Sequence, residues 1–205
     1  MPTAQGFCYN KLMTRIEKLK EKVAKLYGAN YEGRADWAEY MYTSHVFIVS
    51  DYASELSKRF RIQNDLAEAA AMLHDIADGV MSRFNKEHES KSLEIANNFL
   101  VEAGFDLGEI EIIIGDIITN HSCRPNHLPQ TLEGKIMATA DAKAHLDTDF
   151  YDFATRKMSS DKTTQEIKEW LSEKIDRDFN VKIFFPEVKE ELRPCYEKLV
   201  NEYSL

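Results

Sequence analysis

The side chains able to do chemistry are histidines set beside carboxylates near helix ends or on apolar helices: His45, the adjacent pair His74-Asp75, and Asp141. The pair follows the apolar run Ala69 to Leu73, where an ionised aspartate is costly to bury unless a cation compensates it. A divalent metal does so, and neutral imidazole with carboxylate suits zinc, iron or manganese. Successive helical residues point about 100° apart, so His74 and Asp75 cannot enclose an ion alone. They supply two corners if His45, on the preceding helix, and Asp141, on a later one, supply the rest. Four ligands from three helices leave an open position for water, whose pKa a bound cation lowers.

His45, then the pair in AAAMLHDIADG, then Asp141 in MATADAKAHLD resembles, over roughly Thr43 to Leu146, the HD superfamily of metal-dependent phosphohydrolases. The resemblance implies an all-α, single-domain helical bundle of the HD type. It also implies hydrolysis of a phosphoester or phosphoanhydride, by in-line attack of metal-bound hydroxide without a covalent enzyme intermediate. The expected substrate is a nucleotide or another small phosphorylated metabolite. His88 in NKEHESKS and His121 in IITNHSCRP sit where members with a second metal, such as the symmetrical diadenosine tetraphosphate hydrolases, place further ligands. By this resemblance His45, His74, Asp75 and Asp141 hold the first metal, and Asp75, His88 and His121 the second. The other reading leaves His88 and His121 free of metal and in contact with substrate phosphate. Two divalent ions are expected, from iron, manganese or zinc, with magnesium also compatible.

One position departs from the family. Many HD phosphohydrolases carry a lysine four residues after the pair's histidine, where it can meet phosphate; here Asp78 stands there. Arg83, Lys86 or Arg124 could supply the missing charge, although each is by composition an ordinary surface residue. Arg124, three residues past His121, is preferred because a guanidinium can grip phosphate in a bidentate way. Asp75, Arg124 and Lys86 therefore form the expected catalytic set. His127, in the Pro125 to Pro129 loop, is expected in solvent. His145, one turn past Asp141, is read as packing. Asp147 and Asp149 are read as helix caps, and Trp37, Tyr40 and Tyr42 as core ahead of a base-binding pocket. Two other functions share the motif: an HD-type di-iron oxygenase and a catalytically inactive HD ligand-sensing module. The complete ligand set argues against the inactive module.

Helices must position these groups. Leu12, Ile16, Leu19, Val23 and Leu26 recur at helical spacing, and Gly28 and Asn30 close that helix. A second helix is predicted from about Asp36 to Phe60. A third runs from Asn64 through His74-Asp75 to a stop at Gly79. A fourth runs from His88 to Gly104, an all-round apolar one from Leu107 to Asn120, and another from Leu132 to Leu146. An amphipathic helix carries Ile167, Trp170, Leu171 and Ile175 after a cap at Ser159 to Asp161, and a last one follows Pro186. Only Phe179 to Phe185 has strand character. The predicted layout is a single helical domain over 1–205. Its HD core spans about 36–150, with an N-terminal helix over 10–27 and C-terminal helices over 161–203 packed on it.

Composition sets outer limits. A chain of 205 residues can bury a sizeable core. A net charge of −9 without a basic run weighs against a nucleic-acid polymer as partner. Cys8, Cys123 and Cys195 are odd in number and far apart, which argues against a disulfide framework and suits a reducing compartment. With no signal-peptide layout and no apolar stretch of membrane length, the expectation is a cytoplasmic protein without a membrane partner. A homo-oligomer is compatible with this reading.

Overall fold

The computed structural model describes residues 12–205. Helix α1 (Arg15–Gly28) begins at Thr14, whose hydroxyl accepts from Glu17 N while the Glu17 carboxylate accepts from Thr14 N. This reciprocal cap satisfies two of the free first-turn donors. It also decides the fate of Leu12: the first member of the predicted stripe precedes the helix and is exposed. Leu19, Val23 and Tyr27 are buried. Asn30 takes a left-handed backbone, φ 56°, just past the helix end. The part of the predicted N-terminal helix before residue 12, and Cys8, lie outside the described residues.

The single helix predicted from 36 to 60 is two. Helix α2 (Ala38–Ser44) and helix α3 (Val46–Arg59) meet at His45, whose backbone departs from helical geometry at φ −136° and ψ −65°. The hydrogen-bond ladder nearly survives, since His45 N bonds Met41 O and its carbonyl accepts from Val49 N. The axis breaks at the residue whose ring must reach the interior.

Helix α4 (Leu66–Leu73) is buried at seven of its eight residues. It stops one residue before His74, so His74 and Asp75 lie in the turn that leads into a 3-10 segment, Ile76–Gly79. Gly79 closes this 3-10 segment and not α4. A Cβ there would lie 2.2 Å from Leu26 Cδ2, so its missing side chain lets the segment press against α1. Helix α5 (His88–Ala103) ends at Gly104, φ +99°, the left-handed cap that glycine supplies without strain.

The stretch expected as one interior helix is α6 (Leu107–Ile112) running into a π-helical segment, Ile113–Ile118. Leu107 and Ile112 are exposed. Burial is therefore one-sided, with Ile110, Ile113 and Ile117 facing inward. Thr119 donates to Ile114 O five residues back. The wider turn resets the register just ahead of His121.

Helix α7 (Leu132–Asp147) is the axis of the fold and packs against α3, α4, the π segment and the three helices that follow it, α8 (Phe150–Met158), α9 (Thr164–Asn180) and α10 (Pro186–Tyr203). Its alanines at 138, 140, 142 and 144 are fully buried, which lets so many neighbours approach. Helix α8 (Phe150–Met158) follows. Asp149 does not cap it with its side chain. Asp149 accepts from the Tyr40 hydroxyl at 2.8 Å, and Asp147 from the Tyr52 hydroxyl at 2.9 Å. Helix α9 (Thr164–Asn180) is capped by Thr163 with Glu166, beyond the cap region predicted from the sequence. The segment read as strand-like is the end of α9 followed by an irregular link into α10 (Pro186–Tyr203). No strand occurs among the described residues, and the fold is all-α. None of these helices is long and apolar enough to cross a membrane.

Candidate metal centre

Four elements deliver side chains to one buried point: the α2–α3 break, the end of α4, α7, and the turn after the π segment. His45 Nε2 lies 3.2 Å from Asp141 Oδ1, His145 Nε2 3.5 Å from the same oxygen, and His74 Nε2 3.8 Å from it. Asp141 Oδ1 and both ring nitrogens of His45 are buried without a hydrogen-bond partner among the described residues. A buried polar atom without a partner is costly. Three imidazole nitrogens converging on one carboxylate oxygen are a donor set that a cation would satisfy. Within each of two groups, His45–Asp141–His145 and His74–Asp75–His121, the ligand atoms lie within 4.8 Å of one another. The residues present fit a divalent metal.

Neighbouring groups orient these donors. His74 Nδ1 is 2.8 Å from Ala71 O, and His121 Nδ1 is 2.6 Å from Ile118 O. In both rings this leaves Nε2 to face the site, as metal-binding imidazoles require. His145 Nδ1 is 2.9 Å from Asp178 Oδ2. Its ring stacks on that of His45 with centroids 4.9 Å apart.

The charges follow from burial and pairing. Burial lowers the pKa of His45, and lowers His121 to about 4 and His145 to about 3, so these imidazoles are neutral at physiological pH and ready to ligate. Burial pushes the Asp141 carboxyl up, but His145, Lys182 and His45 outweigh it and hold it well below the usual carboxylate range. Asp75 is likewise raised by burial and then driven well below that range by Arg83, His74 and His121. Both carboxylates are ionised.

Two expected residues stand apart from these groups. His88 Nε2 is 2.8 Å from Asp78 Oδ1, and Asp78 is fully buried. Asp78 also accepts from Arg83, which donates to Asp75 Oδ2 at 2.8 Å. The aspartate in the place of the family lysine is thus the anchor of an arginine, and Arg83 brings the positive charge back beside Asp75. Lys86 is exposed and outside the cavity lining.

The site opens into a cavity of about 790 Å³, lined by His74, Asp75, His88, His121, Asp141 and His145 and by Trp37 and Trp170. Arg124 and His127 border it from their exposed loop. Tyr40 and Tyr42 instead pack in the core, Tyr40 on Phe153 with centroids 3.8 Å apart and Tyr42 on Tyr27. His145, expected to pack, faces the site. Sequence reasoning also missed Lys174, Arg177, Asp178 and Lys182. Lys182 donates to Asp141, and Lys174 lies 3.0 Å from His145 Nδ1. One signal was available: Lys174 and Asp178 share a face of α9 at four-residue spacing, and Lys182 continues that spacing just past its end. Nothing local ties that face to Asp141.

A family model described as an HD domain matches residues 42–145. Searches of curated proteins and of solved structures return no match.

Proposed function

Since the chain belongs to the HD-domain family, a superfamily of metal-dependent hydrolase type, we propose that it hydrolyses a phosphoester or phosphoanhydride of a nucleotide or another small phosphorylated metabolite. The observation that carries this reading is Asp141 Oδ1, a carboxylate oxygen without a hydrogen bond that faces three imidazole nitrogens at the floor of a cavity. His45, His74, Asp75 and Asp141 would hold the first ion, with His145 beside them. Asp75 and His121 would serve a second position, giving two ions of iron, manganese or zinc, with magnesium as a further candidate. When bound, such ions supply Lewis acidity and acidify a water for attack on phosphorus.

The protein's own groups do the positioning. Arg83 fixes Asp75 and keeps a cation at the cavity wall, His88 steadies Asp78 behind it, and Lys182 holds Asp141. Arg124, on the bordering loop, would grip a phosphate oxygen pair. Phosphate esters hydrolyse extremely slowly without help, so orientation and charge neutralisation must together remove a large barrier.

The test is metal analysis of the purified protein beside a phosphate-release screen over nucleotides and dinucleotides. It is run anaerobically with manganese, with Asp75→Ala as control. Bound metal and phosphate release, both lost in the control, support the reading. Turnover that needs oxygen and iron would replace it with the oxygenase. Ligand binding without turnover on any metal would replace it with the sensing module.

A further inference from the structure

The cavity that serves the metal centre carries more positive charge than that centre uses. Six cationic side chains line it: Arg83, Arg124, Lys162, Lys174, Arg177 and Lys182. Three are neutralised from within. Arg83 pairs with Asp75 and Asp78, Lys174 with Asp178, and Lys182 with Asp141. The side chains of Arg124, Lys162 and Arg177 have no ion pair among the described residues, and Arg177 Nε is buried without a hydrogen-bond acceptor. The one lining carboxylate outside these pairs is Glu89, exposed on α5.

In a chain with 35 acidic residues to 26 basic ones, cations left unpaired around one cavity are not explained by a shortage of partners. A guanidinium whose Nε is buried loses hydration and recovers it only if an acceptor arrives. Its planar fork matches a phosphate oxygen pair. Lys162 and Arg177 come from the α8–α9 link and from α9, beyond the matched segment 42–145. These two cations therefore lie outside the matched segment.

We propose that Arg177 and Lys162 form a second anion subsite beside the phosphate contact at Arg124, with Arg124 shared between the two, and that the substrate carries a further phosphoryl group beside the one hydrolysed. Diphosphates and bisphosphates meet this requirement; simple phosphomonoesters do not. The proposal rests on the phosphohydrolase reading for the direction in which the substrate lies, but the subsite needs no bound metal to be detected.

The experiment titrates the full-length, metal-free protein with inorganic pyrophosphate and with inorganic phosphate by calorimetry, so that chelation of metal does not interfere. Pyrophosphate should bind at least tenfold more tightly than phosphate. Arg177→Gln should weaken pyrophosphate at least tenfold while leaving phosphate nearly unchanged. Arg124→Gln, on an exposed loop where folding is not at stake, should weaken pyrophosphate severalfold. Equal affinities for the two anions, or pyrophosphate binding indifferent to both substitutions, would overturn the subsite. A protein that shows this preference yet releases phosphate from nothing keeps the subsite and loses the hydrolase reading. One that hydrolyses monoesters and diphosphates alike, with or without Arg177, does the reverse.

Discussion

Lys182 donates a hydrogen bond to Asp141 Oδ2 from 41 residues further along the chain. Both groups are buried. Burial pulls the lysine pKa down, but Asp141 and Asp178 more than reverse it, so the ammonium stays charged. It is the built-in counter-ion of a carboxylate that would also bind metal.

Replacing Lys182 by methionine leaves Asp141 buried with less compensation. Removing one partner of a buried pair typically costs about 3–5 kcal/mol. The urea midpoint of metal-free Lys182→Met should fall accordingly. Manganese should then stabilise the variant more than the wild type, because the ion restores the missing positive charge. An equal manganese shift in both proteins would show that the lysine and the metal do not share Asp141.

The neutral histidines set the pH response of the metal-free fold. Burial lowers His121 to about 4, assisted by His74, and lowers His145 to about 3 against the pull of Asp141. In the unfolded chain both titrate near 6.5. As pH falls, the unfolded chain therefore takes up protons first, so stability is full above about pH 6.5 and declines below it. Asp141 and Asp178, both depressed, add a loss of the same sign below the ordinary carboxylate range. Stability should change little between pH 8 and 7. Between pH 6 and 4 it should fall by about 1.4 kcal/mol per pH unit for each of His121 and His145. Urea melts across this range check it; a midpoint held constant down to pH 5 would contradict the burial of neutral rings.

What could be read without coordinates, and what could not, divides along physical lines. His45, His74, Asp75 and Asp141 were conspicuous because polar groups beside apolar runs need a reason to be there. Helix α5 was legible because His88 opens an apolar stripe that Gly104 closes. The break at His45 was not legible, since nothing in the stretch around it, free of glycine and proline, opposes a continuous helix. The π turn before His121 depends on how Ile113 and Ile117 seat against α4 and α7, which no local pattern encodes. Lys174, Asp178 and Lys182 look like a solvated face until α9 is laid along α7. Only then do they surround His145 and Asp141.

Arg83 would compete with a metal ion at Asp75. Its guanidinium is anchored by Asp78 and sits over Trp37 at 5.4 Å, while still bonding Asp75 Oδ2. A second ion bound by Asp75 and His121 must displace that bond, so it should bind more weakly than the first. In Arg83→Gln the competitor is gone. Manganese titration followed by paramagnetic resonance should then show both ions tightening, the second, which relies on Asp75 and His121, by more than the first. Unaltered occupancy of both positions would separate Arg83 from the metal centre.

Asp178 acts at one remove, through His145 and Lys182. It lies 2.9 Å from His145 Nδ1, contacts Lys174, accepts from Tyr151 at 2.6 Å, and sits 3.8 Å from Lys182 Nζ. Burial pushes its carboxyl up, and Lys174, His145 and Lys182 outweigh that, so it is ionised. In Asp178→Asn the amide keeps the shape but loses the charge that directs His145 Nε2 and one of the two carboxylates sharing Lys182. Lys182 is then drawn more fully onto Asp141, where it opposes metal entry. Loss of such an outer partner typically costs 10–100-fold in metal affinity. Competition against a chelator of known affinity should show a loss of about that size, with far-ultraviolet circular dichroism unchanged. Metal affinity equal to wild type in a folded Asp178→Asn protein would confine Asp178 to packing and remove His145 from the centre.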